Sequence, residues 1–277
     1  MYARPQTLPE AVAVLAGQGS VIVCGGTDIY PAHVGRPLPR KLIDVSAVAE
    51  LRGIGETNTH IRIGGATSWS EILSASLPPA FDGLKLAARE VGSIQIQNRG
   101  SIAGNICNAS PAADGIPPLL TLDAEVELAS LRGVRRLALG SFMTGYRKTA
   151  IRPDEILAAV LVPKTFGNAR SAFVKLGARK YLVISIVMVA ALIRKDAAGN
   201  IAEARVAVGS ASATAQRLPA LERDLVGLSG AVSPSTRLRS EHLAPLSPID
   251  DVRATAAYRR DAALHLVGEA LDHAAEA

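Results

Sequence analysis

Between Gly92 and Pro118 the chain turns polar and rich in glycine, asparagine and serine, although well-patterned segments lie on both sides. A loop of that length inside a compact domain is uncommon and usually functional. Its central run is Gln97-Asn98-Arg99-Gly100-Ser101-Ile102-Ala103-Gly104-Asn105-Ile106-Cys107-Asn108-Ala109-Ser110-Pro111-Ala112-Ala113-Asp114. It offers backbone donors, hydroxyls and amides with little bulk, which are the groups that phosphates and a sugar-alcohol chain require. The plain alternative is a solvent loop built of turn residues. Ile102, Ala103, Ile106 and Cys107, set among the polar residues, argue against it, because a solvent loop has no need of such alternation.

A second glycine-bearing turn stands near the start. Thr7 and Glu10 form a capping-box pair that opens a helix through Ala11, Val12 and Leu15, and Gly17 to Gly19 stop it. Ser20 to Cys24 reads as a short apolar strand running into Gly25-Gly26-Thr27-Asp28. Glycines allow a sharp turn with successive N–H groups exposed, a cradle for a pyrophosphate. Taken alone, an ordinary strand-to-helix turn capped by Asp28 explains it better: it is not GxGxxG, and no acidic ribose ligand stands at the expected offset.

The remaining pattern is mixed. Strands are expected at Lys41–Val45, in hairpins over 54–64 and 125–139, and over Glu155–Val162. Helices are expected at Ala47–Leu51, after the Ser68/Glu71 capping pair, and over Leu84–Val91. Beyond a boundary near Pro163 to Arg170, Ala172–Leu176, Ile184–Arg194 and Ile201–Val208 read as strands or buried helix. Leu218–Leu228 is helical, Ser233–Pro248 is loop, and Asp251–Ala275 is one long amphipathic helix. A length of 277 residues suits two compact domains.

Composition removes several function classes. Apolar residues make up 48% and the net charge is +5, but the basic residues alternate with acidic ones and cluster only in pairs such as Arg135-Arg136 and Arg179-Lys180. That is a solvated surface rather than a nucleic-acid footprint. The two cysteines, Cys24 and Cys107, cannot hold an iron–sulfur cluster, which takes about four thiolates. The five histidines are scattered without ligand or triad spacing, and Trp69 reads as core. Met1 to Pro5 lacks the apolar stretch of a signal peptide, and Leu182–Ile193 is too short for the ~20 residues a membrane span needs. A cytoplasmic protein is the expectation.

Three blocks together resemble the FAD-binding (medium) subunit of molybdenum hydroxylases, the xanthine dehydrogenase and carbon monoxide dehydrogenase family. Cys24-Gly25-Gly26-Thr27-Asp28 is similar to that family's first phosphate loop, with Cys24 where alanine is usual. Arg99-Gly100-Ser101-Ile102-Ala103-Gly104-Asn105, with the Asn-Ala-Ser-Pro-Ala-Ala-Asp run behind it, is similar to the second; Ser101 replaces Thr and Ala103 replaces Gly. Gly145 to Thr149 and Asp154 to Leu157 are similar to a third block. The resemblance reaches from residue 1 to about 270 and is most specific in the second block.

The resemblance implies an α+β chain. It places a two-subdomain FAD-binding fold (PCMH-type) over 1–165, with subdomains of about 1–53 and 54–165. A C-terminal α/β domain with a small antiparallel sheet covers 166–277. It further implies noncovalent FAD, with Val23, Cys24, Gly25, Gly26, Thr27 and Asp28 along the diphosphate. Ser101, Ile102, Gly104 and Asn105 would bind from the other side, and Asp114 would bond the ribityl or adenosine hydroxyls. Leu157 would pack on the flavin and Lys175 would sit near its edge; Tyr181 could stack on the ring or lie at the surface. A side chain at Ala103 would crowd the phosphate if its φ were positive. Electrons would come from [2Fe-2S] clusters on a small subunit, fed by a molybdopterin-binding large subunit, in a dimer of heterotrimers, and leave to an external acceptor. A self-contained FAD-dependent oxidase or dehydrogenase would need a longer chain, and a non-catalytic nucleotide-binding scaffold would show no flavin absorbance.

Overall fold

The computed structural model describes residues 1–16, 19–39 and 41–276, so the expected stop at Gly17 lies outside the described residues. From the N-terminus the elements are β1 (Tyr2–Ala3), α1 (Leu8–Leu15), β2 (Val21–Val23), α2 (Ile29–Ala32), β3 (Leu42–Asp44), β4 (Ile54–Glu56) and β5 (His60–Gly64). Next come α3 (Trp69–Ser74), α4 (Asp82–Glu90), α5 (Ile94–Arg99), α6 (Ile102–Asn108) and α7 (Ile116–Thr121). They are followed by β6 (Glu125–Ser130), β7 (Gly133–Ala138), α8 (Leu139–Phe142), β8 (Met143–Gly145), β9 (Lys148–Thr149) and β10 (Ile156–Pro163). The chain ends with β11 (Arg170–Leu176), β12 (Val187–Lys195), β13 (Ile201–Gly209), β14 (Gln216–Arg217), α9 (Pro219–Leu225) and α10 (Ala256–Glu276).

Two compact units result, each assembled from non-adjacent stretches. The first comprises 1–75, 93–109 and 124–162; the second comprises 76–92, 110–123 and 163–277. In the first unit β1, β3 and β2 form a parallel sheet, in that order, and β4-β5-β10-β6-β7 form a second sheet. Both expected capping boxes are present, Thr7 with Glu10 and Ser68 with Glu71, so α1 and α3 begin where the sequence places them. Ala11, Leu15, Ile43, Val48 and Leu51 join Ala66, Ile156 and Ala158 in one buried cluster. Each large side chain so buried contributes about 1.5–3 kcal/mol. Trp69 is also buried.

In the second unit β11-β12-β13-β14 form an antiparallel sheet, which settles the strand-or-helix ambiguity of those segments in favour of strands. The inward residues Val187, Val189, Ala191, Val206 and Val208 pack against Ala263, Val267, Ala270 and Leu271 of α10. That helix starts at Ala256, later than expected. The preceding acid, Asp251, instead holds a tight turn through the N–H groups of Arg253 and Ala254 and pairs with buried Arg259 at 2.6 Å.

The largest departure from expectation is the Gly92–Pro118 run. It is not a loop but carries α5, α6 and α7. Ile102 and Ile106, spaced one helical turn apart, are both fully buried, so the apolar alternation is the buried face of a short helix. The left-handed residue Ala109 ends α6.

Candidate functional site

In the first unit, β2 ends at Val23, whose carbonyl accepts from Val45 N–H at 2.9 Å, and the chain then turns through Cys24-Gly25-Gly26-Thr27-Asp28 into α2. Gly26 has φ +69°, the left-handed conformation that turns successive N–H groups toward one side. Among the described residues, the N–H groups of Gly25, Gly26 and Thr27 find no acceptor in the chain. Free backbone donors at a strand-to-helix turn suit an anion.

The second loop meets the first at Gly25. A Cβ there would stand 1.9 Å from Arg99 O and 3.0 Å from Gly100 N, so only glycine allows the backbones to touch. Gly100 O in turn accepts from Trp69 N–H at 3.2 Å. Ser101 caps α6 through its hydroxyl, which accepts from Gly104 N–H at 3.1 Å. Ile102 N–H donates to Thr67 O and Ala103 N–H to Gly65 O, both at 3.0 Å. The first-turn amides of α6 are therefore used within the unit, whereas those of the glycine loop are free.

These facts sort the site residues expected from sequence. Cys24, Ser101, Gly104 and Leu157 line one cavity of about 310 Å³, together with Gly65, Ala103, Cys107, Arg152 and Glu155. Burial pushes the Cys24 thiol up, and the neighbouring Ser101 hydroxyl pulls it the other way. Ile102 departs from its expected role: it is fully buried and its N–H is bonded to Thr67, so it anchors α6 in the core rather than facing a ligand. Asn105 carries a buried Oδ1 with no hydrogen-bond partner, an acceptor that a bound hydroxyl or N–H group would satisfy. Ala103 lies inside α6, outside the positive-φ set, so the crowding feared for it does not arise.

Asp114 and Lys175 belong to the second unit, where they meet each other. Lys175 Nζ lies 2.7 Å from Asp114 Oδ2, and Ser185 Oγ donates to Asp114 Oδ1 at 2.6 Å. Burial pushes the Asp114 carboxyl above its ordinary value, while the Lys175 ammonium and the Ser185 hydroxyl pull it back. The expectation that Asp114 holds sugar hydroxyls thus meets a carboxylate that already accepts one donor on each oxygen. Tyr181 is exposed, with Lys180 Nζ 5.4 Å from its ring centroid.

Sequence reasoning gave no role to three residues beside the glycine loop and its cavity. Glu155 is gripped by Arg135 at 2.6 Å and by Arg152 N–H at 2.8 Å; burial alone would raise its carboxyl, but these partners bring it below its ordinary value. Asn108 Nδ2 donates to Asp28 Oδ1 at 2.9 Å, and Arg147 Nη1 donates to Asn108 Oδ1 at 2.7 Å. Asn108 and Arg147 lay within the quoted motifs, but sequence does not show that two blocks nearly forty residues apart converge. Among the described residues there is no cluster of His, Cys, Asp and Glu fit for a metal ion, and no helix is long and apolar enough to cross a membrane.

The arrangement fits a dinucleotide diphosphate: free amides, a left-handed glycine, small residues on the cavity wall, and an orphaned acceptor nearby. Residues 1–165 match the family described as FAD binding domain in molybdopterin dehydrogenase, and residues 172–274 match the CO dehydrogenase flavoprotein C-terminal domain. The xanthine dehydrogenase FAD-binding subunit of Escherichia coli O157:H7 is 32% identical over 271 residues, which cover 96% of this chain and 91% of that one. A solved structure of Cu,Mo-CO dehydrogenase in cyanide-inactivated form superposes with TM-score 0.92 at 25% identity, covering 99% of this chain and 97% of the other. Carbon monoxide dehydrogenase from Hydrogenophaga pseudoflava gives TM-score 0.88 at 28% identity, covering 99% and 96%.

Proposed function

From its membership of the family of FAD-binding subunits of molybdenum hydroxylases, we propose that this chain holds FAD noncovalently and serves as the electron-transfer subunit of a multi-subunit complex. The observation that carries the reading is the set of free amides at Gly25, Gly26 and Thr27, packed through Gly25 against the Arg99–Gly100 backbone. These N–H groups bind the diphosphate, with Val23, Cys24 and Asp28 flanking it. Ser101, Gly104 and Asn105 line the opposite side, and Asn105 Oδ1 accepts from a hydroxyl rather than from phosphate, which has no proton to give. Leu157 supplies an apolar contact to the flavin system.

Bound flavin supplies the redox chemistry, and the chain supplies binding, orientation and electrostatic surroundings. Lys175, paired with Asp114, whose other oxygen accepts from Ser185, is the cation that the family resemblance assigns to a flavin edge. A FAD-binding domain over 1–165 and a C-terminal domain over 166–277 fit this division of labour. Electrons enter from [2Fe-2S] clusters on a small partner subunit, fed by a molybdopterin-binding large subunit, in a cytoplasmic dimer of heterotrimers. They leave to an external acceptor. Two separated cysteines supply neither a cluster nor its ligands, which supports placing that chemistry on partners. Reconstitution tests the reading. The FAD-loaded chain alone should oxidise none of the family's substrates, whereas the complete complex should bleach its flavin band on substrate addition. Turnover by the single chain would overturn it.

A further inference from the structure

Three segments of the first unit converge behind the glycine loop: the loop itself at Asp28, the end of α6 at Asn108, and the β8–β9 turn at Arg147. Arginine has only donors, so the Asn108 amide must turn its oxygen toward Arg147, and its NH2 group then faces Asp28. The 2.7 and 2.9 Å bonds therefore form a chain with a single polarity, guanidinium to amide to carboxylate. The turn is held under strain. Arg147 has φ +50° and Ala109 φ +48°, both left-handed and neither glycine, and Arg147 N–H donates to Ala109 O at 3.1 Å. Strain of this kind persists where surrounding structure enforces it, and it clusters at binding sites.

We infer that Arg147 and Asn108 are positioning residues, acting in series through Asp28 to set the glycine loop in the geometry that binds the FAD diphosphate. The inference rests on the function proposed above. Asp28 accepts Ala32 N–H on its carbonyl and Gly26 accepts Tyr30 N–H, so fixing the Asp28 side chain fixes the start of α2 and the direction of the free amides before it. Without Arg147 the Asn108 amide is free to flip, which would present its oxygen to a carboxylate.

Titration of the full-length apo chain with FAD, read by flavin fluorescence, tests the relay beside apo melting temperatures. Asn108→Ala should weaken FAD about tenfold, as loss of a hydrogen bond to a charged group would. Arg147→Gly should weaken it by a similar factor while apo stability holds or rises, because glycine relieves the left-handed strain. A merely structural residue would move both readouts together. The double variant should lose no more than either single one, because links in series fail once; independent sites would add. Arg147→Lys, which keeps a donor, should recover most of the affinity. Wild-type affinity in both single variants, or additive losses in the double, would overturn the relay alone. A wild-type chain that takes up no FAD would overturn the proposed function and the relay with it.

Discussion

Gly25→Ala is the sharpest perturbation of the site, because the added carbon meets backbone. Its Cβ would lie 1.9 Å from Arg99 O and 2.5 Å from Arg99 C. Ordinary contact requires the two segments to part by about 1.5 Å or more. Neither yields easily: Gly100 N–H donates to Ile96 O at 2.6 Å, and Gly100 O accepts from the N–H of buried Trp69. Overpacking of a tight contact costs about 1–3 kcal/mol, and a backbone clash belongs at the upper end. A loss of about 3 kcal/mol in a chain of this size lowers the melting temperature by about 6–12 °C. Parting the loops also misaligns the free amides, and losing even one charge-assisted bond weakens FAD at least about tenfold. Differential scanning fluorimetry of the apo chain and a fluorescence titration with FAD read the two effects separately. Gly25→Ala with wild-type melting temperature and wild-type FAD affinity would refute the packing of the two loops and the site built on it.

Gly104→Ala makes the contrast: its Cβ meets only Ser101 Oγ at 3.0 Å, so apo stability should hold or rise by up to about 1 kcal/mol from helix propensity, while FAD binding falls because the position lines the cavity. Lys175→Met should cost about 3–5 kcal/mol in urea unfolding by stranding the buried Asp114 carboxylate, and Asp114→Leu added to it should restore most of the loss. Glu155 has a depressed carboxyl, so its contribution is present above its unfolded value of about 4.5 and is lost as pH falls through the lower folded value. Glu155→Gln should therefore lower stability at neutral pH and flatten the acid limb of a melting-temperature profile.

Much of this was legible in the sequence, and the illegible parts have physical causes. The capping boxes at Thr7 and Ser68 are local devices, complete within four residues, and the structure builds both. The two glycine-bearing blocks carried the family resemblance because phosphate cradles constrain consecutive residues. The helix α6 is hidden in the sequence because Gly104, Asn105 and Asn108 have low helix propensity; it owes its stability to the Ser101 cap and to buried Ile102 and Ile106, which is tertiary information. That Ser76–Gly92 and Ser110–Asp123 pack with the chain beyond Pro163 has no local signal at all. The same limit hid the mutual pairing of Asp114 with Lys175 and the link from Arg147 through Asn108 to Asp28, since each joins residues far apart in the chain.

The most direct measurement is the flavin content of the purified chain after saturation with FAD, before and after acid precipitation. Noncovalent binding by the two loops predicts one FAD per chain, released entirely to the supernatant. A chain that takes up no flavin, or one that keeps it in the precipitate, would contradict the central claim.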